Sequence, residues 1–393
     1  MNGGTVNTES SRRSFLAAGL ALPVAGLAST TASPTPSAPA PQQAGASAGK
    51  LSYRTLGKTG MKVTTVGYGT MITSDPTVIS RAVDMGINYF DTSRGYSGGQ
   101  NERMVGAALG AKRKSVFLAS KCDRTDKASV LAELDTSLKE LNTDYLDVWH
   151  LHGKGNPQQI SDDLVDAQRT AKQQGKVRFI GVSCHSNLPG IVDRVIEAKL
   201  DVVQAQFSFA QDPTWASAID KLNQAGVGVV AMKVMARAGG RGRGGATPAP
   251  AIPAGRMTAA LKWVIKNPAI ATTVPSMTDI DQLEQNFGVM GQSFTDADAK
   301  VLTATLEEIR PYYCRTCGQC AGKCPKGLPV SDLVRFVMYA DGYGQFPLGR
   351  ENFQRMSAEH QAVRCGDCSS CAINCPHGVR VMEQAMRAQE LFA

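Results

Sequence analysis

Between residues 51 and 302, short β-branched segments alternate with helical patterns, and this alternation constrains the fold more than any other feature of the sequence. Eight segments have the length and composition of strands, and amphipathic segments with a 3.6-residue period lie between them. The strand segments read VTTVGYG, GINYFDTS, SVFLASK, DYLDVWHLHG, RFIGVS, DVVQAQFS, GVGVVAMKV and AIATTVPS. Strand–helix units of this number and length predict an α/β chain that closes into a parallel (β/α)8 TIM barrel.

Two further segments belong to the predicted barrel domain, residues 51–302. LSYRTLGKTGMKVTTV predicts a β-hairpin that turns at residues 58–60 and caps the bottom of the barrel. MTDIDQLEQNFGVM predicts a helix that follows the last strand.

Polar side chains stand at the carboxyl ends of five successive predicted strands, where barrel enzymes carry their chemistry. These residues are Asp91, Lys121, His152, Ser183 and Gln204. Singly, each has an ordinary structural explanation: Asp91 could cap a loop, and His152 could be a core histidine with satisfied hydrogen bonds. Their coincidence on consecutive strand ends favours a catalytic site.

FDTSRGYSGGQNERMVGAAL, the SK that ends the next strand and the DYLDVWHLHG after it closely resemble the aldo-keto reductases. The resemblance covers the whole barrel and implies an enzyme that interconverts a small carbonyl compound and an alcohol by hydride transfer. It implies that Tyr96 is the general acid and that Lys121, paired with Asp91, lowers its pKa. His152 would orient the substrate oxygen. A phenol, with an ordinary pKa of about 10, needs a nearby cation to exchange protons near neutral pH.

The resemblance also implies a nicotinamide dinucleotide as cofactor, bound without a Gly-rich Rossmann fingerprint, which this sequence lacks. In the family, a Ser-Asn pair and a Gln hold the carboxamide, and an aromatic ring stacks on the nicotinamide. Ser183 and Gln204 match the polar positions, although Cys184 replaces the Asn. Phe207 would be the stacking ring.

The phosphates and the adenosine have their own predicted contacts. Arg237, in RAGGRGRGG after the seventh strand, could bind the pyrophosphate, although a solvated loop explains this segment equally well. Asn286 matches the family's adenine contact. Ser276 and Gln282 stand where the family usually has a Lys and an Arg for the 2′-phosphate. Without those cations, NAD is favoured over NADP.

Eight of the ten cysteines lie in two windows near the carboxyl terminus, CRTCGQCAGKC (314–324) and CGDCSSCAINC (365–375). Each window reads C-x2-C-x2-C-x3-C followed by Pro, the spacing that binds 4Fe-4S clusters in bacterial ferredoxins. In two-cluster ferredoxins the fourth cysteine of each motif serves the other cluster. The resemblance therefore implies two 4Fe-4S clusters, one held by Cys314, Cys317, Cys320 and Cys375, and the other by Cys365, Cys368, Cys371 and Cys324.

Zinc and disulfides are the alternatives for these cysteines. A zinc site usually takes two ligand pairs, so the fourth cysteine of each motif is surplus to it. Disulfides between cysteines two residues apart are strained. Cys122 and Cys184, outside the motifs, are left open as buried thiols or as a bridge.

The predicted dicluster domain, residues 303–393, is mainly helical and resembles the helical dicluster ferredoxins. VSDLVRFVMYADGYG predicts a helix with Ser331 as its N-cap, and VRVMEQAMRAQELF predicts another amphipathic helix.

The amino-terminal segment predicts export. Arg12 and Arg13 precede an apolar run of about fourteen residues, too short to span a bilayer. Residues 1–28 resemble a twin-arginine signal, which exports folded proteins, and residues 29–50 form a Ser/Ala/Pro-rich linker. A basic tail with a chance apolar run is the alternative. Export to the periplasm would require a tightly held nucleotide, because free nicotinamide nucleotides are not expected there.

The composition limits the classes of partner that the protein is expected to bind. The net charge of +8 is spread over 393 residues, and the densest basic run, 237–245, has no interleaved aromatic residues, which argues against nucleic-acid binding. No other segment is apolar for long enough to be a transmembrane span of the mature chain. We expect an exported oxidoreductase that relays electrons through its clusters to an electron-transfer partner. The alternative is a non-catalytic electron-transfer protein, or a redox-complex subunit, with the barrel as a scaffold.

Overall fold

The computed structural model describes residues 50–236 and 255–393, which include the predicted barrel and the cysteine-rich tail. The predicted signal, residues 1–28, and almost all of the linker, residues 29–50, lie outside the described residues. Arg237 and the rest of its Gly/Arg-rich segment lie outside them as well.

A two-stranded antiparallel hairpin precedes the barrel, as predicted. Strand β1 (Tyr53–Thr55) pairs with β2 (Lys62–Thr64), and Gly60 takes a left-handed φ of 74° in the turn. Leu56 and Val63 are buried against side chains from the barrel interior. The hairpin therefore covers the end of the barrel at which the strands begin.

In the described part of the chain, eight parallel strands run in sequence order around the barrel. They are β3 (Tyr68–Gly69), β4 (Tyr89–Asp91), β5 (Phe117–Cys122), β6 (Leu146–Leu151), β7 (Val177–Cys184), β8 (Val202–Gln206), β9 (Gly228–Met232) and β10 (Thr272–Thr273). Parallel bridges from Val66 to Thr273 and from Gly69 to Ser276 join the last strand to the first. The predicted TIM-like barrel is confirmed.

Helices cover the outside of the barrel, one after each strand from β3 onwards. They are α1 (Pro76–Asp84), α2 (Gln100–Leu109), α3 (Lys127–Glu140), α4 (Asp162–Gln173), α5 (Leu188–Glu197), α6 (Thr214–Gln224), α7 (Arg256–Lys266) and α8 (Ile280–Phe287). Asp75, Asp126 and Ser161 begin α1, α3 and α4 as N-caps whose side chains accept backbone N–H groups. The apolar faces of the eight helices pack against the outward-facing strand side chains in one continuous core.

Helix α9 (Asp296–Ile309) connects the barrel to the tail. Its Leu302 packs in the barrel core, whereas Ile309 packs in a second core formed by the tail. The predicted domain boundary between residues 302 and 303 therefore lies inside a helix that contributes to both cores.

The tail consists of α10 (Val330–Val337), α11 (Phe346–Gln354), α12 (Ala358–Ala362) and α13 (Val381–Phe392), joined by the cysteine-rich loops. The expectation that Ser331 caps α10 is wrong, because the helix begins one residue earlier and Pro329 occupies the cap position. Proline has a fixed φ and lacks an N–H, so it suits a helix start, and Ser331 falls within the first turn.

Polar contacts dock the first cysteine motif onto the loop after β8. The Tyr313 hydroxyl lies 3.4 Å from both Gln206 Nε2 and Ser208 Oγ. Gln211 Nε2 donates to the Arg315 backbone oxygen and to Thr316 Oγ1, each at 2.7 Å. The barrel and tail thus pack together at the barrel end that carries the polar strand termini. Within the described ranges, no helix has the length and apolarity that crossing a bilayer requires.

Candidate active site and cysteine clusters

A buried ion pair lies at the carboxyl ends of β4 and β5. Lys121 Nζ donates to both carboxylate oxygens of Asp91, at 2.8 and 2.6 Å, and to the Thr92 backbone oxygen at 2.7 Å. Gln204 Nε2, from β8, donates to the same carboxylate at 2.9 Å. Burial lowers the pKa of Lys121 and raises the pKa of Asp91, and the contact between the two charges opposes both shifts. The ammonium group is therefore held in one position.

The Tyr96 hydroxyl lies 3.5 Å from Lys121 Nζ. Tyr96 begins a turn after β4 in which Ser97, Gly98 and Gly99 all have left-handed φ values, of 50°, 59° and 90°. Two glycines in succession make this backbone accessible at low cost. The turn directs the phenol back over the strand ends, above the ion pair.

The pKa of the Tyr96 phenol is raised well above its usual value, first by burial and then by the charge of Asp91 and the nearby Tyr339. Burial thus outweighs any lowering of this pKa by Lys121, and the lowering itself stays a prediction. Both oxygens of Asp91 bind the lysine, so the carboxylate offsets part of the effect that the ammonium charge has on the phenol. Tyr96 keeps its proton and is a hydrogen-bond donor near neutral pH.

Two neutral histidines adjoin Tyr96. The His152 ring meets the Tyr96 ring edge-on at 6.1 Å, and His152 Nδ1 lies 3.2 Å from Ser93 Oγ. Burial and the nearby Lys121 lower the pKa of His152 to about 3. The His185 ring lies 5.9 Å from the His152 ring, and its pKa is also lowered, mainly by burial. His185 was not predicted, and its only sequence signal was its position directly after the Ser-Cys pair of β7.

A cavity of about 110 Å³ extends from Tyr96 toward β10. Asp91, Gln204, Ser276 and Gln282 line it. The Gln204 Oε1 atom is buried without a hydrogen-bond partner in the described structure, so it can accept from an amide. A nicotinamide carboxamide fits this acceptor.

The structure gives less direct evidence for the other predicted nucleotide contacts. Ser183 Oγ accepts the Gly153 N–H at 2.8 Å and keeps its own proton for donation. Asn286 is buried in α8 with Oδ1 unpartnered among the described residues. Cys184 stands where the family has an Asn. Its thiol donates a hydrogen bond to the Ser186 backbone oxygen at 2.9 Å, so it does not take over the role of the Asn amide.

The prediction that Phe207 stacks on a nicotinamide ring is wrong. Side chains alternate along β8, so Gln204 and Gln206 point into the barrel. Val203 and Phe207 face the helix layer, where the Phe207 ring packs on Trp263 of α7 at 5.1 Å. Phe207 therefore belongs to the core.

A second cavity, of about 240 Å³, opens on the other side of Tyr96. Its barrel wall includes Tyr96, His152 and His185, whereas its opposite wall comes from the tail. The tail contributes Arg335, Tyr339, Leu348, Glu351, Asn352 and Arg355, and Lys233 joins them from the end of β9 in the barrel. Sequence reasoning missed this wall, because no local pattern tells which side chains of the tail meet the barrel.

The cysteines of the tail gather in the two predicted sets. Cys314, Cys317, Cys320 and Cys375 line a common cavity. Burial, opposed by a backbone hydrogen bond from Thr316 and aided by the other three thiols of its set, raises the pKa of Cys314 to about 12. Cys365 is influenced in the same way by Cys371, Cys368 and Cys324. Each set therefore combines three cysteines of one motif with the fourth of the other.

The grouping fits the four thiolate ligands of a 4Fe-4S cluster, which bind four different irons and surround a volume. Among the described residues, no three His, Cys, Asp or Glu side chains are arranged to hold a single metal ion. All ten cysteines lie in the described ranges as free thiols, so Cys122 and Cys184 do not form a bridge.

Comparison with known proteins gives two domain matches. The profile of the aldo/keto reductase family matches residues 67–250, and that of the 4Fe-4S dicluster domain matches residues 313–379. L-galactose dehydrogenase of Arabidopsis thaliana is 29% identical over 281 residues, which are 60% of this chain and 87% of the relative. The oxidoreductase YqkF of Bacillus subtilis is 30% identical over 174 residues, 40% of this chain and 56% of the relative.

Solved structures show the same fold. The holo form of aldo-keto reductase AKR11C1 from Bacillus halodurans aligns with a TM-score of 0.56 and 24% identity. The alignment covers 65% of this chain and 96% of that structure. The chain thus contains nearly the whole barrel of its structural neighbour and, in addition, a separate cysteine-rich region.

Proposed function

Because this chain is an oxidoreductase that joins an aldo/keto reductase domain to a 4Fe-4S dicluster domain, we propose that it interconverts a small carbonyl compound and an alcohol at Tyr96. The observation that carries the proposal is the Tyr96 hydroxyl, 3.5 Å from a lysine ammonium that Asp91 fixes in place. A protonated phenol beside a fixed ammonium can give its proton to a carbonyl oxygen.

In the proposed reaction, the substrate carbonyl oxygen accepts hydrogen bonds from Tyr96 and His152. His152 is neutral, and when Ser93 donates to Nδ1, the opposite ring nitrogen carries the proton that it offers to the substrate. As the oxygen gains negative charge, Tyr96 transfers its proton, and Lys121 stabilises the phenolate that remains.

A nicotinamide dinucleotide, when bound, supplies or accepts the hydride. In our proposal Gln204 and Ser183 hold its carboxamide, and Asn286 contacts its adenine. Ser276 and Gln282, at the positions where the family usually has a Lys and an Arg, carry no positive charge, which supports NAD over NADP. Arg237 remains a proposed phosphate contact outside the described residues.

Two 4Fe-4S clusters, when bound, exchange electrons singly with an electron-transfer partner. The Cys314 set would hold the first cluster close to the barrel, because the adjacent Tyr313 contacts Gln206 and Ser208. Cys371, in the other set, is exposed and offers the partner an approach.

We also propose that the protein is exported in folded form to the periplasm. The twin-arginine pattern of residues 1–28 supports this, and replacing Arg12 and Arg13 by Lys tests it. The variant is expected to stay in the cytoplasmic fraction, and normal export of the variant would contradict the proposal.

The central test is Tyr96→Phe, measured as carbonyl-dependent nucleotide oxidation. Loss of the general acid is expected to lower kcat about 10²- to 10⁴-fold. Tyr53→Phe, in the exposed hairpin strand β1, is the matched control and is expected to keep full activity.

The same variant separates the alternative function, in which the barrel is a scaffold for an electron-transfer protein. If substrate-dependent reduction of the clusters is unchanged in Tyr96→Phe, the scaffold function is correct and the enzymatic one is not.

A further inference from the structure

The cavity of about 240 Å³ beside Tyr96 has two walls of different origin. Tyr96, His152 and His185 form the barrel wall. Arg335 of α10 and Tyr339, just after α10, contribute to the tail wall. A substrate whose carbonyl reaches Tyr96 must therefore place the rest of its atoms against the tail.

Lys233 enters this cavity directly after β9. Its ammonium lies 4.6 Å from the ring centre of Tyr339 and 5.6 Å from that of Tyr343. Within the described ranges, its charge faces these aromatic rings rather than a carboxylate. Its backbone φ of 54° is in the left-handed region, which is unfavourable for a residue with a side chain. An observed backbone outlier at a cavity supports a functional role for the side chain.

Arg335 reaches the same cavity from the tail. In the described structure, its guanidinium pairs with Asp332 at 3.1 Å, and its Nε is buried without a hydrogen-bond partner. A guanidinium has five N–H donors, so one carboxylate leaves capacity for a further anion. The fork of donors suits the two oxygens of a carboxylate or phosphate.

At the cavity rim, in contrast, one guanidinium is paired with two carboxylates. Arg355 donates to Asp123 at 3.2 Å and to Glu351 at 2.7 Å, and all three residues line cavities at the rim. Both carboxylates also line this cavity and are paired with Arg355, so the cations available to a further anion are Lys233 and Arg335. Lys233 also contributes to the lowered pKa of His152, after the larger effect of burial.

We propose that this cavity binds the substrate by an anionic oxygen group, a carboxylate or a phosphate, which Lys233 and Arg335 hold while the carbonyl reaches Tyr96. The inference rests on the proposed function and names the class of its substrate. Both cations are partly buried, and an anion gains more from pairing there than it does in water. A neutral substrate of the same size leaves them unpaired and binds more weakly.

The cofactor phosphates are the competing ligand, and the two cations differ in this respect. Lys233 lines both the cavity toward β10 and the cavity beneath the tail. Arg335 lines the cavity beneath the tail and is absent from the lining of the other. A variant of Arg335 that weakens substrate binding and leaves nucleotide binding unchanged therefore distinguishes the two ligands.

The experiment uses the cluster-loaded protein and pairs of aldehydes that share a reacting group. Glyoxylate is compared with glycolaldehyde, and glyceraldehyde 3-phosphate with glyceraldehyde, so that the two arms separate a carboxylate from a phosphate. We expect kcat/KM to favour the anionic member of at least one pair by about 10-fold or more. Equal values in both pairs would overturn the proposal.

The variants are Arg335→Met, Lys233→Met and, as control, Arg124→Met. Arg124 is exposed and paired with Glu133 at 2.7 Å. Arg335→Met and Lys233→Met are each expected to lower the ratio of kcat/KM for the anionic over the neutral substrate about 10- to 100-fold, mainly through KM. The control variant is expected to leave this ratio unchanged. Arg335→Lys, which keeps the charge, is expected to recover part of the preference. Full preference in both Met variants would contradict the inference.

Two binding measurements separate this inference from the proposed reaction. Calorimetry of succinate and inorganic phosphate with the Tyr96→Phe protein measures anion binding without turnover, and Arg335→Met in that background is expected to abolish it. Titration with NADH measures the nucleotide. If Arg335→Met weakens the binding of NADH and leaves the binding of succinate and phosphate unchanged, the cations bind the cofactor. The inference is then wrong, whatever the role of Tyr96 in the reaction.

Discussion

At the scale of single residues, the Lys121–Asp91 pair combines a structural and a chemical role. Lys121→Met leaves the Asp91 carboxylate buried without its main partner, and we expect a loss of about 3 to 5 kcal/mol of stability as well as of activity. Adding Asp91→Leu removes the stranded charge and is expected to restore much of the stability but none of the activity. Urea unfolding and turnover measure the two effects, and recovery of activity in the double variant would show that the pair is only structural.

His152 gives a pH dependence of known sign. In the folded protein its pKa is lowered to about 3, whereas in the unfolded chain it is about 6.5. Between these values the unfolded state binds the extra proton, so stability falls as the pH is lowered, by about 1.4 kcal/mol per pH unit. His152→Gln is expected to reduce this slope between pH 6.5 and 5, measured by unfolding at several pH values. Identical slopes in the two proteins would contradict the neutral histidine.

At the scale of elements, the position of α11 sets the tail wall of the second cavity. Gly349 lies where α11 passes closely over its neighbours, because a Cβ there would be 2.7 Å from the Phe336 backbone oxygen and 2.7 Å from the Phe392 ring. Gly349→Ala is expected to cost about 1 to 3 kcal/mol and to raise KM, because α11 must move away. Gln354→Ala, exposed on the same helix, is the control for thermal unfolding and kinetics. If Gly349→Ala destabilises the protein and leaves KM unchanged, α11 does not form part of the wall that contacts the substrate.

At the scale of the whole molecule, the two cysteine motifs depend on each other. Cys375→Ala is expected to lose the cluster of the Cys314 set, lowering iron from about eight to about four atoms per chain. Adding Cys317→Ala is expected to cost no further iron, whereas adding Cys368→Ala is expected to remove nearly all of it. Iron analysis and electron paramagnetic resonance measure the outcome, with Cys122→Ala in the barrel as control. The opposite result for the two double variants would assign Cys375 to its own motif.

Much of the barrel and its polar centre could be predicted because both depend on local patterns. Apolar periodicity identified the strands and helices, and parallel strands in sequence order bring their carboxyl ends together, which places Asp91, Lys121 and Gln204 side by side. Phe207 was assigned wrongly because the family's stacking position was transferred without applying the alternation along β8. The direction of the Tyr96 pKa shift does not follow from the sequence, because it depends on the balance between burial and the nearby charges.

The sequence by itself determined the barrel and the two cysteine motifs, which follow from periodicity and spacing, whereas the place of Tyr96 in the site came from the family resemblance. Only the tertiary structure decided that the tail packs over the barrel mouth and that Lys233 and Arg335, 102 positions apart by their numbers, face one cavity with Tyr96. Such contacts between distant segments arise from packing of the whole chain and leave no periodic signal in the local sequence. Packing thereby builds the wall opposite Tyr96, which the barrel pattern leaves open, from both domains and brings Lys233 and Arg335 to it.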